Sequence, residues 1–198
     1  DPKREDAPAS AGSHRELSSA AVSSPLKTPD GPRPRKGVKT TAEDWRSAAR
    51  RAQYADAMTL AKREDWRSLV GTLNESDLTL LADTARLAGA QSDAAQAYER
   101  LRSRFPGTGS AAEAAFMLGR MAQQQGRASE ALSRFDACLR ERPSGRWSAE
   151  ASGRRLEILE QSGNSAAALN AARDYLERYR AGAHAPIARK VLERNSAK

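Results

Sequence analysis

"GAQSDAA" (residues 89–95), "GRASEAL" (126–132) and "GNSAAAL" (163–169) are near-copies, and each begins 37 residues after the one before. Self-similarity at a fixed interval of this size means that one supersecondary unit is being stacked on itself. The same register extends outward from the glycines. Small residues recur at Ala57, Ala94, Ala131 and Ala168, and Ala52 stands where Gly89, Gly126 and Gly163 stand in the later units. Bulky residues follow at Tyr98 and Phe135, with Ala172 in the last unit, and then come Leu101, Cys138 and Tyr175. Pro106 and Pro143 close two units, and Arg180 takes that place in the third.

Each column has a physical reason. A glycine ends the first helix of a unit because its φ can be positive at the residue after the cap. An alanine five residues later lets two helices approach closely where they cross. Tyr98 or Phe135, one turn on, fills the space toward the next pair. The proline is expected to stop the second helix and fix the following turn. "SAAEAAFMLG" carries a capping box, with Ser110 three residues before Glu113.

On these columns, with Leu78, Leu81 and Ala82 in one first helix and Ala115, Leu118 and Gly119 in the next, the sequence resembles the tetratricopeptide repeat. The family's usual period is about 34 residues, and the extra length here falls in the turns "PGTGS" and "PSGRW". The Trp usual early in the motif is missing from these units, and Arg155 and Leu156 replace the third unit's Leu-Gly pair. The resemblance implies an all-α fold, a right-handed superhelix of antiparallel helix pairs (an α-solenoid) with about eight to nine helices. Repeats are expected at about 75–108, 112–145 and 149–182. A final helix over 185–196, with Pro186 at a permitted first-turn position, covers the open end.

The unit before Gly89 is irregular. "WRSAARRAQYADAMTLAKRED" reads as a helix, a break near Gln53-Tyr54 and a short second helix, and Trp66, Leu69, Val70 and Leu73 follow at helical spacing. We read residues 42–74 as an N-terminal cap, started by Thr40 or Thr41. Residues 1–41 hold six of the nine prolines and almost nothing large and apolar. Such a segment is expected to be disordered. Its basic end, "GPRPRKGVK", is either a solvated linker or a weak electrostatic tether to an anionic surface such as lipid head groups.

With 29% charged and only 5% aromatic residues among 198, the core must be built from Ala and Leu. No apolar run approaches the roughly 20 residues that span a bilayer. Beginning at Asp1 without a signal-peptide pattern, the chain is expected to be a mature or excised fragment. The single Cys138 excludes an internal disulfide and a cysteine-rich zinc site. The net charge of +8 comes from an Arg bias, with only seven Lys among 33 basic residues. These charges are spread along the chain without a nucleic-acid-binding motif, which argues against nucleic acid as partner.

The inventory for catalysis is poor. His14 falls in the tail and His184 in the last turn, where a lone histidine reads as a polar surface residue. Cys138 sits in a core column with no histidine near it in the register. Glu157 and Glu160 read as members of an exposed, Arg-rich face. Neither a phosphate loop nor metal-ligand spacing appears. No enzymatic activity, cofactor or metal is expected.

What remains is binding. Repeat proteins offer a groove lined by the first helix of each unit. Relatives of this repeat that grip a C-terminal carboxylate use Lys and Asn at positions held here by Thr79, Asp83, Met117, Glu150 and Arg154. Only Arg154 suits an anion. The candidate groove comprises Phe116, Met117, Arg120, Gln124, Arg154 and Glu157, with Glu113 beside them. Phe116 and Met117 are adjacent, so both cannot enter one interface. Either Phe116 packs on the preceding unit with Met117 in the core, or one of them stays partly open beside Arg120 and Arg154. The second arrangement suits an extended segment carrying a large and an acidic side chain.

A narrower resemblance points to location. "LTLLADTARLAGAQSDAAQAYERLRSRFPG", "AAFMLGRMA" and "YLERYRAGAHAPIAR" look like the C-terminal repeat region of FecR-like regulators of myxobacterial relatives, which are membrane-spanning sigma-factor regulators. More distantly, "RFPGTG" resembles Tol–Pal accessory and barrel-assembly lipoprotein families. These resemblances imply a periplasmic or envelope scaffold that binds a protein or extended peptide. The alternative is a basic helical-repeat nucleic-acid binder of the cytoplasm.

Overall fold

The computed structural model describes residues 44–196. The chain divides into two units, 1–40 and 41–198. The tail expected over 1–41 and its tether role lie outside the described residues.

Every regular element among the described residues is a helix. The order is α1 (Trp45–Arg50), α2 (Tyr54–Arg63), α3 (Trp66–Thr72), α4 (Glu75–Leu87), α5 (Gln91–Arg104), α6 (Gly109–Gln124), α7 (Ala128–Glu141), α8 (Ser148–Gln161), α9 (Ser165–Arg178) and α10 (Ala185–Ser196). The described residues thus hold ten helices, where about eight to nine were expected. From α4 onward each helix packs chiefly on its neighbours in sequence, and α10 touches both α9 and α8. Connections of a few residues force consecutive helices to run antiparallel.

The glycine columns do what the sequence requires of them. Gly89, Gly126 and Gly163 have φ of 78°, 72° and 72°, and Ala52, their stand-in, is held at 60°. At all four, the next residue's N–H closes the helix by donating five residues back: Gln53 to Ala48, Ala90 to Ala85, Arg127 to Ala122, Asn164 to Leu159. The alanines five residues on (Ala57, Ala94, Ala131, Ala168) are all 0% exposed.

Three local expectations need correction. Helix α1 is capped by Asp44, whose carboxylate accepts from the Arg46 N–H. Helix α6 starts at Gly109, before the expected 112, because Thr108 and not Ser110 is its cap: the Thr108 hydroxyl accepts from the Ala111 N–H. Proline is not what ends the second helices. Helix α9 stops at Arg178 with Arg180 in the proline column, as α5 and α7 stop before Pro106 and Pro143. The turn itself is repeated instead, with Gly145 N–H to Arg142 O at 3.1 Å and Gly182 N–H to Tyr179 O at 2.8 Å.

The buried side chains form two clusters. One runs from Trp45 to Ile158, and the other joins Leu156 and Leu159 to α9 and α10 through Ala168, Ala172, Tyr175, Ala188 and Val191. At the centre of the first, Gly119 makes room for Phe135. A Cβ built on Gly119 would lie 2.7 Å from the Phe135 ring.

Candidate partner-binding groove

Helix α6 organises the candidate site. Glu113, Met117, Arg120 and Gln124 recur at the spacing that places them on one helical face. Phe116 lies off that face. It is 0% exposed, stacked on Trp147 (centroids 4.7 Å apart, planes 14°) and tilted against Phe135 (5.8 Å, 46°). Its ring contacts are with its own unit's second helix and the following turn, and fully buried it is closed to a partner. Met117 is 9% exposed and floors the face, whereas Arg120 is half-buried and Gln124 exposed. Arg86 and Gln91 join Met117, Arg120, Met121 and Gln124 around a cavity of about 220 Å³.

Arg154 and Glu157 lie on α8, and both are already engaged. The Arg154 guanidinium pairs with Glu150 at 2.8 Å and donates to Gln123 Oε1 at 3.4 Å. Glu157 Oε1 lies 2.9 Å from His184 Nδ1, and Glu150 Oε2 lies 3.1 Å from His184 Nε2. His184 is thus no surface residue. Its side chain is 11% exposed, its backbone N–H donates to the Tyr175 hydroxyl at 3.1 Å, and its ring sits edge-on to Tyr175. The ring fits only because Gly153 has no side chain: a Cβ there would lie 2.0 Å from His184 Cδ2. Glu160, the other α8 carboxylate, pairs with Arg194 at 2.6 Å.

Asp83 and Arg86 of α4 are also engaged, through Tyr98 of α5. The Tyr98 hydroxyl donates to Asp83 Oδ1 at 2.6 Å and accepts from Arg86 Nε at 3.1 Å. Burial first, then the Asp83 carboxylate, push the Tyr98 phenol far above its usual range, so it stays a neutral donor.

The 37-residue register aligns these groups. Asp83, Arg120 and Glu157 share one column, Glu113 and Glu150 a second, Phe116 and Gly153 a third, Trp147 and His184 a fourth. In the third unit His184 bridges Glu150 and Glu157. In the second unit the residue in the place of His184 is Trp147, which stacks on Phe116 and carries the Arg146 guanidinium 4.9 Å from its ring centroid. Its buried indole N–H has no hydrogen-bond partner, although it lies near enough to Glu113 to favour that carboxylate.

The two column-mate carboxyls respond in opposite senses. Burial dominates at Glu113 and, with the Asp83 charge, raises its pKa above the ordinary 4.5 despite Arg146. Burial would raise Glu150 too, but the His184 hydrogen bond and the Arg154 charge outweigh it and hold that carboxyl below 4.5. Glu113 borders a larger cavity, about 640 Å³, bounded by Ser110, Cys138, Arg142, Arg146 and Trp147 among others. The Cys138 thiol, 1% exposed, is pushed up to about 11 by burial and then by Glu141, which favours its protonated form at neutral pH.

Among the described residues no group of three or more His, Cys, Asp or Glu is arranged to hold a metal, and no helix is long and apolar enough to cross a membrane. No family model matches the chain, and no curated protein matches it. Sequence reasoning missed the His184 clasp. Its one available signal was the glycine at 153, exchanged for Phe116 in the column that faces the turn.

Proposed function

We propose that the chain is a non-enzymatic scaffold, a tetratricopeptide-like right-handed superhelix that holds an extended segment of a partner protein in the groove along α4, α6 and α8. The observation that carries this reading is the α6 face, where Met117, Arg120 and Gln124 border an open cavity while the flanking charges on α4 and α8 are satisfied within the chain. Grooves of repeated helices with few open polar groups suit extended, sequence-selective partners. The resemblance to FecR-like regulators supports placing this scaffold in the envelope or periplasm, in a signalling role. The cytoplasmic nucleic-acid alternative draws no such support, since Arg86, Arg102, Arg134, Arg154 and Arg155 all pair with carboxylates.

The test is a cross-linking pull-down from envelope and cytosolic fractions side by side. Gln124→Trp obstructs the exposed end of the groove without entering the core, and Arg140→Glu on α7 serves as control. A protein cross-linked from the envelope and lost only with Gln124→Trp supports the reading. A nucleic-acid partner, or a partner indifferent to Gln124→Trp, overturns it.

A further inference from the structure

The repeat register shows which groove position is left for a partner, and what chemistry it asks for. Three residues share the groove column of α4, α6 and α8. Asp83 accepts from Tyr98 at 2.6 Å, and Glu157 meets His184 at 2.9 Å. Arg120 forms no ion pair or hydrogen bond with any described residue, although it is half-buried beside an open cavity. Glu113, two helical turns earlier on the same face, forms no ion pair; it has the Trp147 indole N–H beside it and is partly desolvated.

The third unit demonstrates what such a pair does when it is filled. Glu150 and Glu157 have the same separation as Glu113 and Arg120, and both reach a single ring, that of His184. Two acids converge there on a group with two N–H positions. In the second unit the upstream residue is again an acid, but the downstream one is a cation. An occupant must therefore bring an acceptor of negative charge to Arg120 and a donor to Glu113.

We propose that the Glu113/Arg120 pair on α6 is a recognition subsite for one aspartate or glutamate in an extended partner segment. The acidic side chain pairs with Arg120 above Met117, and an adjacent N–H of the same segment donates to Glu113. An arginine fork matches a carboxylate with two parallel hydrogen bonds. Two turns of α6 cover about 10 Å, the length of about three extended residues, so one short stretch reaches both groups. Arg154 takes no part, because Glu150 already neutralises it. This subsite rests on the groove reading above.

The experiment uses the full chain and a displayed library of random extended peptides. The wild-type protein is expected to enrich peptides with Asp or Glu at one fixed position, and raised salt should weaken their binding. Arg120→Glu rebuilds the two-acid arrangement of the third unit. It should lower affinity for the enriched peptides by at least about tenfold and select His, Lys or Arg at that position instead. Glu113→Gln should weaken binding while keeping the acidic preference, and Arg154→Gln should leave both unchanged. If no peptide is enriched, the groove reading falls and the subsite with it. If peptides are enriched without an acidic position, or Arg120→Glu leaves their selection intact, the subsite is wrong while the groove stands. Circular dichroism of Arg120→Glu matching wild type excludes unfolding as the cause.

Discussion

Two corresponding places in the molecule solve the same packing problem with opposite chemistry. Where α6 meets the turn before α8, Phe116 stacks on Trp147 at 4.7 Å. Where α8 meets the turn before α10, the register puts Gly153 and His184, and the imidazole drops into the space the glycine leaves, between Glu150 and Glu157. The first contact is two large rings and little else. The second is a polar clasp with a glycine as its socket. The lesson is that a repeat preserves where contacts occur, while each unit chooses its own chemistry for them.

The comparison can be broken most severely at its apolar side. Phe116→Ala removes a ring stacked on one aromatic and tilted against another, and should cost about 3–5 kcal/mol in chemical denaturation, the range for large aromatic truncations in cores. A loss near zero would mean that Trp147 and Phe135 do not depend on it.

At the polar side the sharp variant is Gly153→Ala. Its Cβ would lie 2.0 Å from His184 Cδ2, so the ring must leave its seat. Overpacking of this kind should cost about 1–3 kcal/mol. Hydrogen exchange should rise first in α10, which packs chiefly on α9 and α8. In a His184→Ala background the same alanine should be nearly free of cost. Persistence of the full penalty there would show that the clash is not with the imidazole.

The two glutamates of the shared column sharpen the contrast through pH. Glu150 has a lowered folded pKa, so its contribution is present above the ordinary value of 4.5 and is lost as pH falls through the folded value. Glu113 has a raised one, so its stabilising effect is present below 4.5 and is lost as pH rises through the folded value. Glu150→Gln should therefore destabilise at neutral pH, and Glu113→Gln should stabilise. Thermal melts across pH 3–7 should show the two differences shrinking toward acid. Shifts of the same sign in both variants would refute the assignment of partners.

The smallest effect belongs to the helix-ending column. Ala52 is exposed and holds φ at 60°, where its glycine equivalents sit without strain. Ala52→Gly should gain about 1 kcal/mol. A loss of stability would indicate that entropy of the unfolded chain outweighs the strain.

How much of this was legible is clear from particular residues. The glycines at 89, 126 and 163 and the alanines at 94, 131 and 168 fix turn and crossing by backbone conformation and side-chain size, which are properties of the residue alone. Helix order and most of the core follow from them. The cap at Thr108 was misread because Ser110 offers equal local chemistry, and only the path of the chain decides between them. Within the groove, residue type announced Arg120 and Arg154 as equal cations.

The sequence by itself determined the repeat, its all-helical build and the face of α6 on which Glu113, Met117, Arg120 and Gln124 stand, because periodicity and backbone preference are local. The tertiary structure decided which of those groups are already spoken for. Arg154 is neutralised by Glu150, Glu157 is held by His184, and Phe116 is sealed under Trp147. Pairing of charges across units depends on distances of a few ångströms between side chains from different helices, and no local pattern encodes them.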